Sequence, residues 1–156
     1  MQQVANCILL KQDHILLLKK PKHGWYAMPG GKMESGETIK EAVIREYKEE
    51  TNLTIQNPRL AGVFTFNVLQ DDQQMKEWMM YTFTCQDYSG KLADFCREGE
   101  LQWVPVNQVL QLPMAEGDRL IYKHILESKH VVSGTFTYTP KDDLITYRID
   151  GSSDTK

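Results

Sequence analysis

The chain has 156 residues, of which 41% are hydrophobic and 25% are charged, and its formal net charge is -3. This length fits one domain with a hydrophobic core of its own, and the composition excludes a fibrous or disordered chain. A weakly negative chain has no overall positive field to attract nucleic acid or an anionic membrane, so any phosphate group must be bound by local residues.

The N-terminal residues show no targeting or membrane-spanning pattern. Two short apolar runs, at 4–10 and 15–18, are separated by polar residues and lack the basic start and cleavage site of a signal peptide. No apolar run approaches the roughly 18 residues that span a bilayer. The sequence therefore predicts a cytoplasmic protein without membrane contact. Three cysteines without C-x-x-C spacing predict reduced thiols rather than disulfides or a zinc site.

The first half of the chain predicts strands followed by one long helix. The apolar runs at 4–10 and 15–18 have the pattern of a buried hairpin, and a brief strand at 25–28 ends at Pro29. The helix is predicted from Thr38 to about Thr51, because this segment contains strong helix formers and no glycine or proline. Ser35 and Thr38 are candidate N-caps, and Asn52 tolerates the left-handed conformation that often ends a helix.

The second half predicts mainly strands, with one further helix. Strands are predicted at 54–60, 62–68, 77–85 and 101–106, with a turn at 71–74. Asn107 is a candidate cap of a short helical turn, a second helix is predicted from Asp118 to about Ser128, and a hairpin is predicted at about 134–149. Because strands outnumber helices, we expect one α+β domain over residues 1–156 rather than a parallel doubly wound fold.

Three glutamates crowd the end of the long helix. At about 100° per residue, Glu46, Glu49 and Glu50 continue the apolar stripe of the helix instead of lying opposite to it. Ionised carboxylates at the edge of a core are costly unless they are protonated, paired or bound to a metal. Their oxygens suit Mg²⁺, Mn²⁺ or Ca²⁺. A solvent-exposed run of charges is the alternative that the helix alone leaves open.

The glycine turn before the helix completes a fixed pattern of spacings. The sequence follows G-x5-E-x7-R-E-U-x-E-E-x-G-U, where U is a bulky apolar residue, at Gly31, Glu37, Arg45, Glu46, Glu49 and Glu50. Residues 30–53, GGKMESGETIKEAVIREYKEETNL, resemble the Nudix box, and the similarity covers residues 1 to about 130. Tyr47 departs from the usual aliphatic residue and is expected to pack, and Asn52 replaces the glycine that ends the helix.

The resemblance implies a Nudix fold, which is an α/β/α sandwich with a central mixed β-sheet and a catalytic loop-helix-loop. Nudix hydrolases cut a phosphoanhydride bond in nucleoside diphosphate derivatives, using water and Mg²⁺ or Mn²⁺. Carried onto this chain, the resemblance implies metal ligands at the backbone carbonyl of Gly31 and at Glu46, Glu49 and Glu50.

The resemblance also implies supporting residues and a general base. Glu37 and Arg45 would form an ion pair that holds the loop on the helix. Glu46 or Glu50 is a candidate base, and the family also uses a glutamate from a later loop, for which Glu100 is preferred over Glu98.

The substrate contacts are predicted from residues around the glycine turn. Lys32 lies inside the motif, and Lys20 lies in the preceding loop, so both are candidates to contact phosphates. Trp25 and Tyr26 are candidates to stack on a base, with core packing as the alternative.

The box does not determine the substrate, which we expect to be a guanine nucleotide. The compact chain resembles enzymes that remove 8-oxo-dGTP, although Ala27 stands where some of them carry a polar residue. Segments 77–80, 112–118 and 134–140 resemble a bacterial branch that hydrolyses guanosine tetra- and pentaphosphate. An RNA 5′-pyrophosphohydrolase, an ADP-ribose-type pyrophosphatase and a non-catalytic nucleotide-binding module are the alternatives. No basic stripe predicts a stable nucleic-acid complex, and the terminal hairpin is a candidate homodimer contact.

Overall fold

A mixed β-sheet with helices on both faces organises residues 1–150, which are the residues that this computed structural model describes. The strands are β1 Gln2–Lys11, β2 His14–Lys19, β3 Tyr26–Ala27, β4 Gly30–Lys32, β5 Thr54–Gln56, β6 Arg59–Gln70, β7 Gln73–Cys85, β8 Asp87–Ser89, β9 Glu100–Pro105, β10 Val132–Tyr138 and β11 Leu144–Asp150. The helices are α1 Ile39–Thr51, α2 Val106–Val109 and α3 Glu116–Glu127.

The large sheet runs in the order β11-β10-β6-β7-β1-β2-β3, with β4 paired to β1 and β9 paired to β2. Strands β1 and β7 are parallel, as are β10 and β6, and the other pairs in this sheet are antiparallel. Strands β5 and β8 form a separate two-stranded sheet. This mixture of directions confirms the predicted α+β class with a central mixed sheet.

Alternation along β1 divides the core into two layers. Cys7 and Leu9 pack with Val43 and Tyr47 of α1, whereas the intervening Ile8 belongs to the layer that contains Ile121 of α3. Successive side chains of a strand point to opposite faces, so one strand supports a helix on each side. Tyr47 is completely buried, as we expected for the aromatic residue that departs from the motif.

Local signals determine where α1 begins and ends. Thr38 is the N-cap, because its hydroxyl accepts from the Glu41 N–H at 3.0 Å while the Glu41 carboxylate accepts from the Thr38 N–H at 2.9 Å. This reciprocal capping box satisfies two donors that the helix itself leaves free. Asn52 ends the helix with φ 68°, and its left-handed conformation confirms that it replaces glycine.

Two strand boundaries differ from the prediction. The break between β5 and β6 lies at Asn57, where φ is 55°, rather than near residue 61, because Pro58 follows it and cannot donate to a ladder. Strand β7 begins at Gln73, since Asp71 and Asp72 both adopt positive φ and form a tight two-residue hairpin turn.

Both later helices begin earlier than predicted. Helix α2 follows Pro105, and no side chain caps it, so Asn107 lies inside the helix. Helix α3 begins at Glu116, with Ala115 at the N-cap position, and Asp118 lies in its first turn. Cys7, Cys85 and Cys96 are free thiols, as predicted. Within residues 1–150, no helix is long and apolar enough to cross a membrane.

Candidate active site

Arg45 connects the loop before α1 to the helix itself. Its Nε donates to Glu37 Oε2 at 2.6 Å and its Nη2 donates to Glu37 Oε1 at 3.0 Å. The same Nη2 donates to the Lys32 carbonyl at 3.0 Å. The two hydrogen bonds from Arg45 to Glu37, together with one from the Glu34 N–H, lower the pKa of Glu37 to about 2. A two-point pair with a charged acceptor is strong and directional, so it holds the loop in one position on α1.

Arg45 also draws two of the clustered carboxylates toward itself. Its Nη1 donates to Glu46 Oε2 at 3.0 Å and to Glu49 Oε2 at 3.1 Å. The Glu46 side chain is 17% exposed, whereas that of Glu49 is 57% exposed. Glu46 therefore faces the protein interior, and Glu49 lies at the rim.

Glu50 is the least compensated carboxylate of the cluster. Its Oε1 accepts from the Gly30 N–H at 2.8 Å. The pKa of Glu50 is raised to about 7, chiefly by burial and in part by the charges of Glu46 and Glu98, while the Gly30 hydrogen bond and the charge of Lys20 act in the opposite direction. A partly buried carboxylate beside a second carboxylate favours a cation between them.

The carboxylates of Glu46, Glu49 and Glu50 provide oxygen donors that suit a hard divalent cation. They do not all point toward one ion position in this structure. Across residues 1–150, no three His, Cys, Asp or Glu side chains converge as ligands, since Arg45 turns Glu46 and Glu49 toward its guanidinium. The Glu46 carboxylate lies directly against Gly31, where an added Cβ would clash with it. Oxygen donors alone suit Mg²⁺ or Mn²⁺. The full set with Glu49 remains a prediction.

Replacing Gly31 with alanine should reduce turnover by about tenfold or more, the range seen when metal-site geometry is disturbed. The new methyl group would displace the end of the Glu46 side chain, which is flexible, so the fold should survive. Mg²⁺-dependent initial rates and Tm together check this. The control is Gly36→Ala, since no atom lies within 4 Å of a Cβ at Gly36, although its φ of 86° adds local strain. Equal rates for Gly31→Ala and the wild-type protein would contradict the expectation.

A cavity of about 360 Å³ opens directly beside the glycine turn. Gly30 and Gly31 form one wall, so the cavity adjoins the carboxylates of α1. Much of the remaining lining is apolar or aromatic and includes Trp25, Phe66, Val68, Trp78 and Met80. The rings of Phe66 and Trp78 stack at 5.1 Å. A concave apolar site with a few polar groups is the usual form of a small-molecule pocket.

Asp118 provides a carboxyl group inside this cavity. Burial raises its pKa to about 6, and the charge of Lys20 lowers it only in part. Our sequence analysis placed Asp118 at a helix start and missed this role. The available signal was an acidic residue in the first turn of a helix that has a strong apolar face.

Asn6 is a second polar residue of the cavity that our sequence analysis missed. It is 8% exposed, its Oδ1 accepts from the Thr82 hydroxyl at 2.7 Å, and its Nδ2 donates to Met80 Sδ at 3.1 Å. An asparagine within an apolar strand was the only hint in the sequence.

The three residues predicted to bind substrate lie in different places. Lys20 lines the cavity, and its contact with phosphates stays a prediction. Lys32 does not, since its side chain is exposed and borders a separate depression formed with residues 33–37. Tyr26 does not line the cavity either, because its hydroxyl donates to Gln102 Oε1 at 3.1 Å while the neighbouring Ala27 faces the cavity. Trp25 therefore replaces Tyr26 as the aromatic candidate.

The preferred later-loop base also changes. Glu100 Oε1 accepts from Gln102 Nε2 at 2.9 Å. Glu98 lies close enough to Glu50 for its charge to raise the Glu50 pKa. This influence on Glu50 favours Glu98 over Glu100 as the later-loop base, a choice that remains a prediction.

Comparisons with known proteins find relatives that match nearly the whole chain. The NUDIX domain model matches residues 1–125. An uncharacterized Nudix hydrolase, YvcI of Bacillus subtilis, is 49% identical over 150 residues, which cover 96% of this chain and 95% of the relative. The crystal structure of a MutT protein from Bacillus halodurans superposes with a TM-score of 0.94 at 46% identity, covering 96% of this chain and 98% of that one. An oxidized purine nucleoside triphosphate hydrolase of Danio rerio is 27% identical over 156 residues, covering 97% of each chain.

Proposed function

The chain belongs to the Nudix family, and we propose that within this family it is a Mg²⁺-dependent hydrolase of guanine nucleotides. Family membership makes it a nucleotide pyrophosphohydrolase, an enzyme that acts on acid anhydrides. The observation that carries the finer proposal is the aromatic cavity beside Gly30 and Gly31 with the carboxyl group of Asp118 inside it.

The carboxyl group of Asp118 supports guanine over adenine. An ionised carboxylate only accepts hydrogen bonds. The edge of guanine that carries N1–H and the 2-amino group presents two adjacent donors, which match its two oxygens. Adenine presents an acceptor at N1 beside its amino group, so one carboxylate oxygen would face a lone pair. A site built to accept specific hydrogen bonds rejects a ligand that lacks them.

The aromatic lining supports a nucleobase as the occupant. Trp25, Phe66 and Trp78 present ring surfaces on which a purine can stack. Similarity to the Danio rerio hydrolase, whose name states oxidized purine nucleoside triphosphates, supports a purine. Asp118 would contact guanine and 8-oxoguanine alike, because N1–H and the 2-amino group are present in both bases.

The three glutamates at the end of α1, Glu46, Glu49 and Glu50, form the α1 cluster. This cluster supports phosphoanhydride hydrolysis at the other end of the cavity. We propose that the Gly31 carbonyl, Glu46, Glu49 and Glu50 hold Mg²⁺ or Mn²⁺. When bound, the ion supplies charge neutralisation for the diphosphate and a lowered pKa for a coordinated water.

Other residues have proposed roles around that cluster. Arg45 and Glu37 keep the glycine loop positioned on α1, as their hydrogen bonds indicate. Glu98 accepts the proton of the attacking water. Lys20, which lines the cavity and whose charge acts on both Glu50 and Asp118, contacts the phosphates nearest the sugar.

A hydrolysis screen with Mg²⁺ tests the proposed substrate class. Its members are 8-oxo-dGTP, dGTP, guanosine tetra- and pentaphosphate, ADP-ribose and triphosphorylated RNA. We expect kcat/KM for at least one guanine nucleotide to exceed that for ADP-ribose and RNA by about tenfold or more, the discrimination that one lost charged hydrogen bond provides. Comparable weak rates on all of them would refute the guanine proposal, and no turnover at all would favour a binding module.

A further inference from the structure

The turn of the C-terminal hairpin forms part of the cavity wall. Strands β10 and β11 lie beyond residues 1–125, which the family model matches. The turn between them nevertheless reaches the cavity, where Asp142 lines the wall together with Trp25. The B. halodurans structure covers 96% of this chain, whereas MutT structures at 22–23% identity cover 78–80% of it. A segment outside the shared domain therefore contributes to the site.

The backbone of this turn is fixed by its own hydrogen bonds. The Thr139 N–H donates to the Asp143 carbonyl at 2.8 Å, and the Asp142 N–H donates to the Thr139 carbonyl at 3.0 Å. The Thr139 hydroxyl accepts from the N–H groups of Lys141 at 3.2 Å and Asp143 at 3.1 Å. Asp142 has φ 69°, a conformation that Asp and Asn tolerate better than most residues. The turn therefore holds the backbone of Asp142 in a defined conformation beside the cavity.

His23 lies between the Asp142 carboxylate and the ring of Trp25, which belongs to the aromatic lining of the cavity. His23 Nε2 lies 3.9 Å from Asp142 Oδ2, and the His23 ring lies 4.8 Å from the Trp25 ring, measured between centroids, at an angle of 39°. The side chains of His23 and Asp142 are 46% and 50% exposed. Exposed ion pairs contribute little to global stability, so the effect of this contact should be on the local orientation of Trp25.

We propose that Asp142 and His23 are positioning residues that hold the Trp25 ring in place as a stacking surface for the bound nucleotide. The C-terminal hairpin is thereby a part of the substrate-binding site and not only an extension of the sheet. This inference rests on the proposed function for the identity of the occupant, a nucleotide, but it does not depend on which base is preferred.

The variants that test this inference keep the backbone of the two loops. Asp142→Gly removes the carboxylate at a position where glycine adopts positive φ freely. His23→Asn removes the ring at φ 64°, which asparagine tolerates. Asp143→Gly is the matched control in the same turn, since among residues 1–150 the Asp143 side chain forms no hydrogen bond or ion pair and only its backbone bonds to Thr139.

We expect Asp142→Gly and His23→Asn to raise KM by about fivefold with kcat changed by less than about twofold, the signature of lost ground-state binding. Tm should stay constant in all three variants. Asp143→Gly should keep the wild-type KM. A merely structural role for the turn would lower Tm and would not leave kcat unchanged.

Binding measured without turnover separates this inference from the proposed function. The assay is quenching of tryptophan fluorescence by GTP and ATP in the presence of Ca²⁺ or EDTA. A preference for ATP would overturn the guanine proposal while the Kd ratio between Asp142→Gly and wild type still reports on the hairpin. Equal Kd values for wild type, Asp142→Gly and His23→Asn, with Tm unchanged, would overturn the positioning role.

Discussion

Replacing Glu50 with glutamine should reduce Mg²⁺-dependent turnover by at least about a hundredfold, the scale on which a carboxylate supports catalysis. Glutamine has nearly the same shape, and its Oε1 can still accept from the Gly30 N–H, which lies 2.8 Å from Glu50 Oε1. The substitution removes the negative charge, however, and with it the means of holding a cation beside Glu46. The fold should persist, because the buried group becomes neutral and no cavity is created.

The measurement is kcat as a function of Mg²⁺ concentration, with Tm and circular dichroism to verify folding. Glu127→Gln is the matched control, since Glu127 is exposed at the end of α3 and far along the chain from the box. Wild-type kcat in a folded Glu50→Gln protein would show that the α1 cluster does not perform the chemistry. Loss of activity in Glu127→Gln as well would indicate a nonspecific effect.

Replacing Asp118 with asparagine should raise KM for a guanine nucleotide by roughly tenfold to a hundredfold, the value of one or two hydrogen bonds to a charged acceptor. Asparagine offers one acceptor and one donor, so it matches only half of the two-donor edge of guanine. An inosine nucleotide, which lacks the 2-amino group, should bind wild type more weakly and should lose less affinity in the variant. Equal losses for the two nucleotides would contradict the contact.

The raised pKa of Asp118 predicts that pH affects nucleotide binding and the stability of the free protein in opposite directions. Guanine binding needs the carboxylate, so KM should rise as the pH falls through about 6. Folding favours the protonated form, because burial raises the pKa from its ordinary value of 3.8 to about 6. The stability of the free protein should therefore be greatest below pH 4 as far as this group is concerned, and it should fall as the pH rises from about 4 to about 6.

At pH 8, Asp118→Asn should accordingly raise Tm in the absence of nucleotide while it weakens nucleotide binding. Thermal unfolding and KM, both measured at pH 5 and pH 8, check the two signs together. A lower Tm for the variant at pH 8 would mean that the ionised Asp118 is compensated within the free protein, and its availability to a base would then be in doubt.

The box could be predicted from the sequence because its signals are local. The capping of α1 by Thr38, the end at Asn52 and the spacing of Arg45 from Glu37 all depend on residues within one loop and one helix. Helical periodicity then places the glutamates on one side without knowledge of the rest of the fold. The α+β class followed from the number and spacing of the strands, and the central mixed sheet followed from the resemblance to the Nudix box.

The cavity could not be predicted, because distant segments build it. The parallel pairing of β1 with β7 brings Asn6 beside Thr82 and Met80, and the first turn of α3 adds Asp118 from a third segment. Sequence spacing contains no information about such pairings. The error at Tyr26 has a simpler cause, since neighbouring residues of a short strand point to opposite faces and Ala27 is the one that faces the cavity.

The measurement that tests the central claim most directly is kcat/KM for a guanine nucleotide and its adenine counterpart, each with Mg²⁺ and with EDTA. The account predicts that the guanine nucleotide is preferred by about tenfold or more, because Asp118 matches only its donor edge, and that EDTA abolishes turnover of both. Equal values for the two bases, or hydrolysis that persists in EDTA, would contradict it.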